Sequence, residues 1–325
     1  MARVVKWALP FVLALGFPFV GQEGYFTHLA ITILIFSILA SSLNLLMGYT
    51  GLVSIAHGAF YGIGAYTSGI LVLRHGVPFW AAIVIATAFA GIVALGIGPP
   101  SFRTRGIYYI IVTIAFQLIA SEIFDNWYSM TGGGLGLKGI PRPEPISLPF
   151  LPALGFQSKF VYYYLVLAVA AAVHYGIWRI IRSPLGIALM AIRDNETKAL
   201  MMGLSPLRYK IGVFVFASAL AGLAGSLYAH YLEYAHPDLF SFFVSVDVFL
   251  MVMLGGAGTL YGPPLGVLIL EMLREVLHEF VALRLLLYGL LLIVIIVFLP
   301  EGLPRPLARW TRRLVTPRLL PGSAP

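Results

Sequence analysis

The chain has 325 residues, 60% of them hydrophobic and 10% charged, with a formal net charge of +8. Soluble proteins carry about 25% charged residues, and a mean hydropathy of +0.93 leaves too little polar side chain to cover a water-facing surface. A soluble enzyme, a nucleic-acid-binding domain and a disordered chain are therefore disfavoured, and the lack of any cysteine rules out disulfides, thiol chemistry and thiolate metal sites.

Apolar runs recur at 4–21, 28–47, 54–73, 79–98, 106–124, 160–181, 211–232, 242–261, 263–281 and 284–299. A membrane helix needs about 20 apolar residues, so the expected fold is an all-α, polytopic transmembrane bundle of about ten segments. The first run follows Arg3 and Lys6 and imitates a signal peptide. It ends Phe17-Pro-Phe-Val-Gly21 without a small-x-small cleavage site, so a retained helix is expected. The Gly-rich stretches at 48–64 and 254–266 are candidates for broken or re-entrant segments.

Three segments read as non-membrane: an external loop at 125–159, a cytoplasmic loop at 182–210 and a basic, Pro-rich tail at 301–325, after a membrane domain spanning 1–300. Ten passes with both termini cytoplasmic place 15 of the 21 basic residues inside: Arg3, Lys6, Arg103, Arg105, Arg179, Arg182, Arg193, Lys198, Arg208, Lys210 and five tail arginines. Arg74, Lys138, Arg142, Lys159 and Arg284 fall outside and Arg274 lies within a span. That asymmetry obeys the positive-inside rule, and the reverse orientation violates it.

Within 44–69 the sequence combines small residues with the polar Asn44, Ser54 and His57. Polar groups in apolar spans need partners. Two readings stand: an unwound pathway segment offering backbone groups to a polar solute, and close helix packing, with packing favoured for His57 alone. Thr113 and Gln117 share one helix face and the same two readings. Ala217-Ser-Ala-Leu-Ala-Gly-Leu-Ala-Gly-Ser226 predicts a close helix crossing. Gly48-Tyr-Thr-Gly51 and Gly255-Gly-Ala-Gly258 form a weak internal echo, each opening a helix-disrupting stretch.

In the cytoplasmic loop, Leu185, Leu189 and Ile192 follow Pro184 at helical spacing. Asp194 and Asn195 can cap a second short helix through Thr197 to Met202, ended by Gly203 and blocked by Pro206. The pair reads either as a docking element for a soluble partner or as a solvated loop. Glu271, Arg274, Glu275, His278 and Glu279 recur at helical spacing, as a buried pair, a proton relay or an interfacial helix. Gly134-Leu-Gly-Leu-Lys-Gly139 fits GxGxxG but lies in the external loop, with no strand expected before it. No GxxxxGK[ST], HExxH or catalytic constellation is present, so no enzyme activity, metal or cofactor is expected.

The segments Leu43–Tyr66, Arg103–Tyr109, Thr131–Pro143, Ser183–Gly186 through Met202-Gly203, Val252–Pro263 and Leu299–Leu303 resemble permease subunits of bacterial and archaeal ABC importers for branched-chain amino acids, of the LivM-like type. The resemblance implies a multi-pass cell-membrane protein working with a second homologous permease subunit, two ATP-binding cassette subunits and an extracytoplasmic solute-binding protein. It implies coupling to the ATPases through Arg193, Asp194, Asn195, Glu196, Ala199 and Gly203. Asn44, Ser54, His57, Thr113 and Gln117 become candidates for the translocation path. Related permeases carry urea, amides or aromatic acids, so the architecture leaves the solute open. An ion-coupled secondary transporter using the 271–279 charges, or a membrane enzyme, would be the competing class.

Overall fold

The computed structural model of the chain describes residues 24–104, 106–145 and 155–276, with 289, 290 and 293. The run at 4–21, nearly all of the run at 284–299, and the tail 301–325 lie outside the described residues. Eleven α-helices are described, joined by two short 3-10 turns and one two-stranded antiparallel sheet. Among the described residues, six helical segments are long and apolar enough to cross a membrane: Tyr25–Thr50, Phe79–Ser101, Ile107–Asn126, Lys159–Ile181, Pro206–Leu232 and Pro237–Gly255.

α1 (Tyr25–Thr50) ends where Gly51 turns left-handed at φ 73°. The N–H of Gly51 bonds Met47 O, the single 5→1 closure of a left-handed helix stop, and that of Leu52 reaches back to Leu46 O. Residues 51–56 are not helical, and α2 (His57–His75) starts below them. The expected break is thus confined to six residues, and the glycines from Gly58 onward are helical.

α2 is too rich in Gly, Ser and Tyr to count among the six apolar helices, yet it is the central one. It packs against α1, α3 (Phe79–Ser101), α9 (Pro206–Leu232) and α10 (Phe242–Gly255). The predicted small-residue crossing is the α2–α9 contact. A Cβ on Gly64 would overlap the backbone of Gly222, and one on Gly225 would overlap Tyr61 O. Ser226 Oγ donates to Gly64 O at 3.0 Å across the same seam. Small residues allow this approach, and packing replaces the missing hydrophobic drive inside a bilayer.

α4 (Ile107–Asn126) and α6 (Lys159–Ile181) flank this core, and α6 starts at a serine cap, Ser158 Oγ accepting Phe160 N–H at 3.2 Å. Outward faces of α3 and α4 carry Val84, Phe89, Ile92, Ile111, Leu118 and Ile119 in exposed positions. The loop after α4 opens with one turn, α5 (Tyr128–Thr131), and then folds onto the bundle. Its β1 (Leu137–Lys138) pairs with β2 (Tyr234–Ala235), Leu137 opposite Ala235. Arg142 pairs with Glu233 at 2.8 Å, and His230 Nδ1 lies 2.7 Å from Pro141 O. α9 runs from this end to the helices of the 182–210 loop. Those are α7 (Pro184–Asp194), with Pro184 in its first turn, and α8 (Glu196–Met201). α10 stops at Gly255, short of the expected 261, and α11 (Gly262–Val276) follows a loop at 256–261.

Candidate functional site

The first break presents the N-terminus of α2 in the interior of the bundle. Ala56 at its cap has no side-chain oxygen, so the orphan N–H groups that open any helix need outside acceptors. They find them on other helices. Gly58 N–H reaches Ser245 Oγ at 2.7 Å and Ala59 N–H reaches Gln117 Oε1 at 2.6 Å, while Ile55 N–H, in the break before the helix, reaches Thr113 Oγ1 at 3.2 Å. Ser245 Oγ donates on to Gln117 Oε1 at 2.8 Å, and Gln117 Nε2 donates to Phe240 O at 2.9 Å. Gln117 thus ties α2, α4 and α10 together through one amide. Ser54 is buried beside this network. His57 is fully buried, and both its ring nitrogens lack a hydrogen-bond partner among the described residues.

The second break, 256–261, sits against the end of α1. Asn44 Nδ2 donates to Thr259 O, and its Oδ1 accepts Gly258 N–H, both at 2.8 Å. A Cβ on Gly48 would overlap Gly258 N, so the two echoing glycine motifs meet backbone to backbone. Of the five path candidates, Thr113 and Gln117 join His57 and Ser54 at the first break, while Asn44 serves the second. Asn44, Thr113 and Gln117 direct their polar atoms to the protein's own backbone in this conformation.

The helix pair of the 182–210 loop forms as its sequence predicts. Asn195 Oδ1 caps α8 by accepting Lys198 N–H at 2.9 Å, and Glu196 pairs with Lys210 at 2.7 Å. Gly203 follows at φ 83°, a conformation that a β-carbon strains. The coupling candidates divide. Arg193, Asp194, Asn195 and Glu196 are exposed, although Arg193 also reaches Gly48 O with Nη1, and Ala199, 1% exposed, packs into the protein. Sequence reasoning missed the apolar tip: Met201 is 82% and Met202 79% exposed, with Leu200 beside them. The available signal was the apolar triplet Leu200-Met201-Met202 closing a short helix that opens with Glu196, Thr197 and Lys198. Beside the pair opens a cavity of about 610 Å³ bordered by Thr50, Leu52, Tyr109, Arg193, Glu196 and Lys210.

Of the 271–279 charges, Arg274 pairs with Asp247 of α10 and lies 3.4 Å from Glu271, whereas His278 and Glu279 lie outside the described residues. Among the described residues no three His, Cys, Asp or Glu side chains form a metal-binding group.

Comparison with known proteins places this architecture. A family model described as the permease component of the branched-chain amino acid transport system matches residues 25–297. The chain is 32% identical over 309 residues to the high-affinity branched-chain amino acid transport system permease protein LivM of Escherichia coli (strain K12), covering 90% of this chain and 72% of that one. It is 28% identical over 253 residues to the probable branched-chain amino acid transport permease protein LivM of Methanocaldococcus jannaschii, covering 72% and 68%. It is also similar, at 22% over 294 residues, to the permease protein LivH of Salmonella typhimurium (strain LT2), covering 82% and 90%. No solved structure matches.

Proposed function

Because the chain belongs to the family of branched-chain amino acid transport permease components, we propose that it forms half of the translocation path of an ATP-driven importer for leucine, isoleucine and valine. It is a multi-pass membrane permease and not a catalytic subunit. The other half of the path belongs to a second homologous permease subunit. Two ATP-binding cassette subunits dock on the cytoplasmic face, and an extracytoplasmic binding protein delivers the solute. The observation that carries this reading is the helix pair α7–α8, which presents an apolar tip and exposed charges on one side and is joined to a helix break on the other.

The reading includes ten passes with both termini cytoplasmic. The charge bias supports that orientation; the 182–210 loop approaches residues 50–53 and 102–110 at one end, and the 128–145 loop approaches 230–236 at the other, as loops on opposite faces require.

The mechanism follows from the two breaks. ATP binding closes the ATPase pair, α7 and α8 move with it, and the permease halves rock about the path. A neutral zwitterion is met by backbone dipoles and small polar groups rather than by a ring of charge. In this conformation the oxygens of Thr113, Gln117 and Ser245 hold the N–H groups at the start of α2. An amino-acid carboxylate takes over such groups when the bundle opens, since a helix N-terminus favours anions. Ser54 and His57 line the same point, and Asn44 keeps the second break in register.

Co-expression with a homologous permease subunit, the two ATPases and the binding protein tests the assembly. A stable complex lost when this chain is omitted is the expected result. ATPases that fail to associate with this chain in any combination would overturn the reading. Uptake by the chain alone, driven by an ion gradient, would instead favour the secondary-transporter alternative.

A further inference from the structure

The end of α1 leaves a carbonyl in need of a donor. The Leu52 N–H that would close on Gly48 O bonds Leu46 O instead. Helix ends leave such carbonyls unpaired, and a cation there is favoured. The donor comes from 145 residues away: Arg193 Nη1 bonds Gly48 O at 2.8 Å. Its Nε and Nη2 hold Asp194 Oδ1, each at 3.1 Å, which fixes the guanidinium plane. The stem of the side chain lies over Gly51, where a Cβ would stand 3.0 Å from Arg193 Cγ. A Cβ on Gly258 would stand 3.0 Å from Gly48 O and 3.3 Å from Arg193 Nη1. One arginine from the cytoplasmic helix pair therefore sits where both broken segments converge, and Asn44 joins those segments from behind.

We propose that Arg193 is a positioning residue, an internal link that carries movement of α7 and α8 to the helix breaks at 51–56 and 256–261, rather than a contact for the ATPase subunit. This rests on the permease reading above and specifies how the coupling loop acts within this chain. The guanidinium lends itself to the role because it grips a carbonyl, a neighbouring carboxylate and a backbone surface at once. The cavity beside it gives that end of the loop room to shift.

The chain has no cysteine, so a single reporter thiol can be placed in it with no background from the chain itself. In the assembled complex, Ile187→Cys reports on the exposed face of α7 and Leu52→Cys on the first break. Thiol-labelling rates are measured with and without a non-hydrolysable ATP analogue. In the otherwise unaltered chain both rates change with nucleotide. Arg193→Met keeps the stem over Gly51 and removes every donor. The expected result is that the complex still holds its ATPases, Ile187→Cys keeps its nucleotide response and Leu52→Cys loses it, with uptake per ATP falling about tenfold, the order expected for one charge-assisted hydrogen bond. Arg193→Gln, whose amide stops short of Nη1, is the second variant should Arg193→Met fail to assemble. If both reporters keep their response, the link is not through Arg193. If both lose it or the ATPases dissociate, Arg193 is a docking contact and the proposal fails. If neither reporter responds before Arg193 is changed, the docking reading itself fails.

Discussion

Gln117 Oε1 accepts the Ala59 N–H at 2.6 Å and the Ser245 hydroxyl at 2.8 Å, so one side chain of α4 caps the interior N-terminus of α2 and holds α10 against it. Burial makes this bond costly to lose: an unsatisfied buried donor costs about 1–3 kcal/mol. Gln117→Leu should lower the melting temperature of the purified chain in detergent and reduce transport together. Unchanged melting would show that the α2 start is held by other means.

His57 gives the opposite expectation. Both its ring nitrogens are buried without partners among the described residues. Replacing unpartnered buried polar atoms by an apolar group of similar shape is close to neutral for stability. We predict that His57→Phe leaves thermal stability unchanged or raised, while the KM for leucine uptake rises because the open path loses a polar group. Loss of stability with normal uptake would assign His57 to packing.

The α2–α9 seam admits no added volume. Gly225→Ala places a methyl group on Tyr61 O and should abolish accumulation of folded protein. Gly212→Ala on the same helix meets nothing within 4 Å and should be tolerated. Equal expression levels of the two variants would contradict the crossing described.

Docking through the apolar tip predicts a specific loss. Burying a methionine is worth about 1.5–3 kcal/mol, so Met201→Asp should weaken ATPase binding by at least about tenfold in a pull-down, with normal membrane insertion. Retained binding would move the interface elsewhere.

The turn after α8 and its ion pair give a further test. Gly203→Val strains a left-handed residue, and Glu196→Ala removes the partner of Lys210. Both should abolish transport-linked ATP hydrolysis while the chain still inserts. Normal solute-stimulated hydrolysis in these variants would sink the coupling role.

Hydropathy made the long helices legible, because a 20-residue apolar run has few folded alternatives. Local chemistry did the same for the loop helices: Pro184 starts α7, Asn195 caps α8 and Gly203 follows its end. The residue list at 217–226 foretold the tight crossing but not its partner helix, since small residues specify closeness and not identity. Arg193 shows where sequence reading stops. The family resemblance gave it a role in coupling to the ATPases, and nothing local reveals that Gly48, 145 positions earlier, presents an unclosed carbonyl to it. Likewise the spacing of Gln117 and Thr113 left both a path and a packing reading open, because the N–H groups they satisfy belong to another helix. The exposed Met201 and Met202 were overlooked because apolar side chains in a membrane protein draw no notice until their location is known.

The most direct measurement of the central claim is leucine-dependent ATP hydrolysis and uptake in proteoliposomes. These would hold this chain, a homologous permease subunit, two ATPase subunits and the binding protein. The account predicts stimulation by leucine, isoleucine or valine that disappears when this chain is omitted. Stimulation by urea or another solute alone would contradict the substrate assignment and leave the architecture. Full activity without this chain would contradict its role as half of the path.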